Sequence, residues 1–269
     1  MATKTPKAEK PKLTRVVAIT NQKGGSGKTT TSVNLSAALA EMGRSVLLLD
    51  LDPQASSSDW FGVKTGERGL MDVFLQQSSL SDLAVPTSVS GLSMVPASSW
   101  LYGIDKALAG EVGTENILAG QLNELSGRWD YVLMDCPPNL GLLTVSALTA
   151  AHEVLVPVEA HVMALAGLAQ LLNTVDLVQK RLNPKLKLSG ILCCRVDSRT
   201  RHAMEIVEHV RERFPQICLE VVIRENIRLA EAPSFRLPIT SYDPKSTGTQ
   251  DYRALAKEVL KQERALVHV

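Results

Sequence analysis

The stretch Asn21-Gln22-Lys23-Gly24-Gly25-Ser26-Gly27-Lys28-Thr29-Thr30 constrains this chain more than any other. An apolar run, Val16-Val17-Ala18-Ile19, precedes it and a helical pattern from Thr30 to Glu41 follows, so the order is strand, glycine loop, helix start. The glycines at 24, 25 and 27 open backbone conformations closed to other residues and let N–H groups approach the oxygens of a phosphate chain. The amino end of the next helix adds unsatisfied donors and a positive dipole. Phosphate contacts are therefore expected from Gly24, Gly25, Ser26, Gly27, Lys28, Thr29 and Thr30. Lys28 is placed to reach the β- and γ-phosphates, and the Thr29 hydroxyl to ligate Mg²⁺. Where the common loop pattern has its first glycine, this chain has Gln22, followed by Lys23.

Short apolar runs recur at 16–20, 45–50, 92–95, 130–135, 153–158, 188–193 and 219–223. Helical patterns at 30–42, 142–151, 162–182 and 202–213 lie between most of them, which is the alternation a parallel sheet with crossover helices requires. The expected fold is a doubly wound α/β domain, mostly parallel, with helices on both faces. Ser56 to Gly127 is the least regular region, with short helices expected at 69–77 and 114–125. A last helix, Gln250 to Arg264, carries Tyr252, Leu255, Ala256, Val259 and Leu260 on one face, expected to pack on the domain. No internal repeat or linker divides the chain, so residues 15–269 read as one domain behind a tail of residues 1–14.

That tail holds Lys4, Lys7, Lys10 and Lys12 among prolines and threonines, reads as disordered and solvated, and has no apolar segment of the kind a secretory signal needs. No apolar run approaches the roughly twenty residues that span a bilayer. Lys and Arg total 29 against 28 Asp and Glu, which excludes a uniformly basic nucleic-acid binder but leaves room for a local basic face. Cys136, Cys193, Cys194 and Cys218 form no CxxC pair, which argues for reduced, partly buried thiols and a cytoplasmic location. The histidines show no metal-ligand spacing.

In an open parallel sheet, ligands bind at the carboxyl ends of the strands. Asp50 and Asp52 lie at and just past the end of one apolar run, and Asp135 ends another, so all three are expected to crowd the glycine loop. A carboxylate there is costly to desolvate unless it serves a cation or hydrogen bonds. Asp135 is the expected Mg²⁺ residue, acting through water.

With Lys23 ahead of Gly24, the loop has the deviant Walker A form. Together with Leu47 to Gln54, Asp135-Cys136-Pro137-Pro138, Glu231-Ala232-Pro233-Ser234 and Tyr242-Asp243-Pro244, it resembles the ordered motifs of the ParA/Soj partition ATPases, relatives of MinD. The resemblance spans roughly residues 15 to 262. It implies an ATPase whose ATP-bound form is a face-to-face homodimer, with Lys23 crossing to the partner's phosphates. It also implies that Asp52 orients the attacking water, that Asp50 supports the metal shell, and that Pro137 and Pro138 form a switch sensing the γ-phosphate. Asn226 matches the residue that meets the adenine edge, and Arg224 stands where relatives often carry proline. Arg199 and Arg228 match positions that bind double-stranded DNA without sequence preference, and Arg201, Arg224 and Arg236 widen that patch. The implied setting is the nucleoid, with a ParB-like partner stimulating hydrolysis and a chromosome or plasmid as cargo.

Three other readings stay open on the sequence. One is positioning of a protein cargo by the same switch. Another is a membrane-surface ATPase resembling MinD, which would need the last helix to insert. The third is a protein resembling the nitrogenase iron protein, whose cluster draws thiolates from two subunits.

Overall fold

The computed structural model describes residues 14–267 except 65, 67, 126, 162 and 163, with side chains described over 14–161 and 167–263 of these. The tail lysines Lys4, Lys7, Lys10 and Lys12 lie outside the described residues. Thr14, assigned to the tail from the sequence, is instead buried. Its hydroxyl donates to the Trp129 carbonyl at 2.8 Å and accepts the Gly127 N–H at 2.9 Å, which ties it to the domain.

Seven strands form one sheet: β1 (Arg15–Ile19), β2 (Val46–Asp50), β3 (Val85–Pro86), β4 (Leu92–Val95), β5 (Tyr131–Asp135), β6 (Glu153–Glu159) and β7 (Lys187–Cys194). Their order is β3-β4-β2-β5-β1-β6-β7, and every pairing is parallel except that of β3 with β4. The doubly wound expectation holds. The central strands β1, β2 and β5 are buried along their whole length, which is why they read as continuous apolar runs rather than as alternating ones.

Successive residues of each strand point to opposite faces and so feed two cores. Val17, Ile19, Leu48 and Leu133 pack with the helix Lys28–Glu41 and with Tyr252, Leu255, Ala256 and Val259 of the last helix, Thr247–Val267. Val16, Ala18, Leu49 and Val132 pack on the other side with helices Leu142–Ala150, Ala164–Arg181 and Arg201–Arg213. The apolar face of the last helix is thus spent on the domain. Among the described residues, no helix is long and apolar enough to cross a membrane.

Register decides where the chemistry sits. Ile19 pairs with Asp135, and Asp50 pairs with Asp135 from the other side. The carboxyl ends of β1, β2 and β5 therefore coincide, and the loops that leave them share one edge.

The run 219–223 is not the strand expected from its composition. It lies beside β7, linked by single bridges at Ile191–Cys218 and Val196–Arg224. Between those bridges Glu258 on the last helix accepts the N–H groups of Glu220 at 2.9 Å and Val221 at 3.1 Å, which takes them out of any ladder. The helix expected over 69–77 is only Leu70–Phe74, and Gln76 just beyond it has φ 56°. The 114–125 pattern splits into a 3-10 turn, Thr114–Asn116, and the helix Ile117–Glu124. β3 was not anticipated, since two residues carry no readable period.

Candidate active site

The loop after β1 is anchored at its entrance by Asn21. Its amide donates to the Pro157 carbonyl at 2.7 Å and its oxygen accepts the Lys23 N–H at 3.0 Å. Gly25 and Gly27 then take φ values of 73° and 92°, in the left-handed region that side chains disfavour. A Cβ on Gly24 or Gly25 would meet nothing within 4 Å, so the loop backbone faces open space.

That space is a cavity of about 540 Å³. Loop glycines, Lys28, Thr29 and Thr30 line it together with Asp52 and Pro138, and Arg224, Asn226, Ile227, Leu229 and Tyr252 complete its wall. The volume suits a nucleotide-sized ligand. Lys28 is buried beneath the loop, and its Nζ donates to the Lys23 carbonyl at 3.2 Å. Burial lowers its pKa, with Asp135 and Asp52 acting the other way. The Ser26 hydroxyl is buried within the loop and finds no hydrogen-bond partner among the described residues. A buried ammonium, an unpaired hydroxyl and open glycine backbone together fit a polyphosphate.

Asp135 is fully buried at the end of β5 and accepts from Ser57 Oγ at 2.6 Å and Ser32 Oγ at 3.1 Å. Burial pushes its carboxyl up to about 6, while the hydroxyls of Ser57, Thr29 and Ser32 favour the ionised form. A carboxylate held among hydroxyls beside Thr29 suits a hydrated cation better than direct ligation. Asp50, expected to support the metal shell, is bonded within its own turn. Its oxygens accept from Asp52 N at 3.3 Å, Ser58 N at 2.7 Å and Ser58 Oγ at 2.6 Å, so it shapes the turn that presents Asp52. Burial, then the charge of Asp135, pushes its carboxyl up to about 8. Asp52 lines the main cavity and also a second cleft of about 220 Å³ beside Tyr102 and Asn139. Of the two prolines expected to form a switch, Pro138 lines both clefts, whereas Pro137 is buried and borders only the second. Among the described residues no three His, Cys, Asp or Glu side chains gather into a self-sufficient metal site. All four cysteines are free thiols, and burial pushes Cys194 up to about 12.

A family model described as "AAA domain" matches residues 14–188. The chain is 44% identical over 247 residues to the sporulation initiation inhibitor protein Soj of Bacillus subtilis, covering 91% of this chain and 98% of that one. It is 43% identical to the chromosome partitioning protein ParA of Myxococcus xanthus, over 93% of this chain and 89% of that one. The chain belongs to the ParA/Soj family of partition ATPases. Among solved structures, a Mycobacterium smegmatis cobyrinic acid a,c-diamide synthase with bound ATP analog and magnesium superposes with a TM-score of 0.83 at 37% identity, covering 94% of this chain and 96% of that one. The MinD cell-division ATPase of Pyrococcus furiosus superposes at 0.77 with 28% identity, over 92% and 99% of the two chains. The protein is an ATPase, and nucleotide with Mg²⁺ is the ligand of such folds.

Within this family frame the remaining candidates separate. Asn226 lines the cavity, but its side chain also caps the helix Ile227–Glu231, accepting the Arg228 N–H at 2.8 Å and donating to Thr247 Oγ1 at 2.5 Å. Arg224, assigned to the surface patch from the sequence, is half-buried. It lines the cavity and forks onto Asp251, with Nη2 2.6 Å from Oδ1. Arg199 and Arg201 are exposed at the start of the helix Arg201–Arg213, Arg199 paired with Asp197 at 2.8 Å. The groove beside them also carries Glu205, Glu208 and Glu212, so this face is of mixed sign. Arg228 is exposed and pairs with Glu231 at 2.8 Å, and Arg236 lies exposed with φ 57°.

The sequence reading missed Ser32 and Ser57, which hold Asp135, Asp251, which holds Arg224, and Glu159. Glu159 ends β6 after an apolar run. That is the same signature that singled out Asp135, and it was there to be read.

Proposed function

We propose that this protein is an ATP-dependent switch that dimerises on DNA without sequence preference and moves or spaces a chromosome or plasmid. A ParB-like partner on the cargo stimulates hydrolysis, and the released monomers recycle. The carrying observation is the divergence of the two loop lysines. Lys28 is buried in the cavity floor, whereas the described cavity walls are built without Lys23, whose side chain is 40% exposed at the rim. A lysine so placed suits a second subunit's phosphates better than its own.

Thr29 and Asp135 are the residues to hold Mg²⁺, which when bound neutralises charge on the phosphate oxygens. Lys28 supplies positive charge from below, and Asp52, at the junction of the two clefts, is the carboxylate placed to orient a water. Asn226 and Arg224 stand on the base side. The relatives named for chromosome partitioning support the choice of cargo.

Retention on non-specific DNA tests the reading with Lys23→Ala, Lys28→Ala, Asp52→Ala and Arg228→Glu. With ATP, Asp52→Ala should stay DNA-bound while its phosphate release falls about 100-fold or more. The other three should lose binding. Equal retention of the wild type with ADP and with ATP overturns the switch.

A further inference from the structure

Lys23 has a partner within its own chain. Its Nζ lies 2.8 Å from Glu159 Oε2, and the other carboxylate oxygen, Oε1, lies 3.2 Å from Arg195 Nη1. One carboxylate thus joins the glycine loop to the end of β7. The sheet builds this contact: Glu159 and Cys194 are register partners in the β6–β7 ladder, which delivers Arg195 beside Glu159. Arg195 has φ 53°, a conformation that costs a non-glycine residue and persists where the surroundings fix it. Arg195 also lines the phosphate cavity.

The contact is firm in geometry but wet. The side chains of Lys23, Glu159 and Arg195 are 40%, 24% and 57% exposed. A pair so exposed holds a side chain without locking it. Lys23 acts at the carboxylate's expense, since one ammonium cannot serve Glu159 and a distant phosphate together.

We propose that Glu159 is a positioning residue that parks Lys23 in its own subunit, so that a second copy's triphosphate must draw the lysine away before the dimer closes. The proposal rests on the reading of Lys23 given above. A terminal phosphate carries more negative charge than one carboxylate and takes the ammonium. A diphosphate presents less charge at that point and leaves Lys23 with Glu159. Glu159 and Arg195 thereby set a threshold that the correct nucleotide clears.

Sedimentation velocity across protein concentration, with saturating ATPγS, tests this for the wild type, Glu159→Gln, Glu159→Asp and Lys23→Ala. Fluorescent-nucleotide binding at concentrations where every variant is monomeric runs alongside. Glu159→Gln should tighten the dimer by up to about fivefold per protomer, hence up to about 25-fold in the dimer constant, because both copies must release their lysine. Glu159→Asp, which keeps the charge, should stay near the wild type, and monomer affinity for nucleotide should be the same in both. A general loosening of the fold would move monomer affinity as well. If the wild type dimerises and Glu159→Gln dimerises equally or less well, the proposal alone is overturned. If the wild type stays monomeric, or Lys23→Ala dimerises like it, the reading of Lys23 falls and takes the proposal with it.

Discussion

The ammonium of Lys28 donates to the backbone carbonyl of Lys23 at 3.2 Å, so the two lysines of the loop are joined by one bond that spans it. The loop is held in its curved shape by the same group that a phosphate would engage. The two side chains should therefore separate in function. Lys28→Ala should weaken ATP binding by the monomer by about 3 kcal/mol, or roughly 100-fold, as expected when a charge-assisted hydrogen bond is removed. Lys23→Ala should leave monomer affinity within a few-fold of the wild type. Isothermal titration of ATP and Mg²⁺ into each variant checks both.

Gly27 carries φ 92°, and a Cβ there would sit 3.4 Å from the Cys194 side chain, whereas Gly25 at φ 73° faces open space. Gly25→Ala should cost about 1–2 kcal/mol from backbone strain alone. Gly27→Ala should cost the same strain and also force Cys194 to give, and so should melt lower. Thermal denaturation of the two variants without nucleotide compares them directly.

Arg224 and Arg228 are four residues apart, yet Arg224 lines the cavity while Arg228 is exposed and paired with Glu231. Arg224→Ala strips the nearly buried Asp251 of its guanidinium and should lower stability by about 1–2 kcal/mol, with nucleotide affinity falling and the salt dependence of DNA binding unchanged. Arg228→Ala should leave nucleotide affinity alone and reduce the slope of log K against log salt by about 0.9 for each DNA phosphate that the guanidinium neutralises. DNA binding measured over a salt series, beside nucleotide titrations, distinguishes the two.

His152, at the foot of β6, accepts the Val16 N–H on Nδ1 at 3.1 Å. Partial desolvation, opposed by the charge of Glu153, lowers its pKa below the ordinary value although the residue is exposed. The unfolded chain therefore takes up the proton first as pH falls, and folding stability drops through and below about pH 6.5. His152→Asn keeps an acceptor and does not titrate. The wild type should lose less than about 1 kcal/mol relative to that variant between pH 7.5 and pH 5.5, the exposed ring being screened. Denaturant melts at both pH values measure the difference.

The parts of the site that the sequence disclosed are those whose chemistry is local. Lys23 to Thr30 need only their own order and the adjoining strand and helix to declare a phosphate loop. Asp135 declared itself because a carboxylate at the end of Tyr131-Val132-Leu133-Met134 has few other reasons to be there. Residues whose work depends on a distant neighbour were misread or missed. The sequence offers Arg224 for both the base side and the basic patch, and only Asp251, 27 positions on, shows what holds it at the cavity wall. The run 219–223 has a strand's composition, and only Glu258 in the last helix explains why it forms none. Pro137 and Pro138 are alike in sequence, and only the path of the chain shows which faces the cavity.

The last helix does more than cover a face of the sheet. Through Glu258 and Asp251 it grips the backbone of Glu220, Val221 and Arg224, so the wall that would meet the base hangs from the far end of the polypeptide. On the proposal that the base lies against Arg224 and Asn226, nucleotide choice would depend on the last helix. Clipping or crowding that terminus should blur discrimination between purine triphosphates well before the sheet itself comes apart.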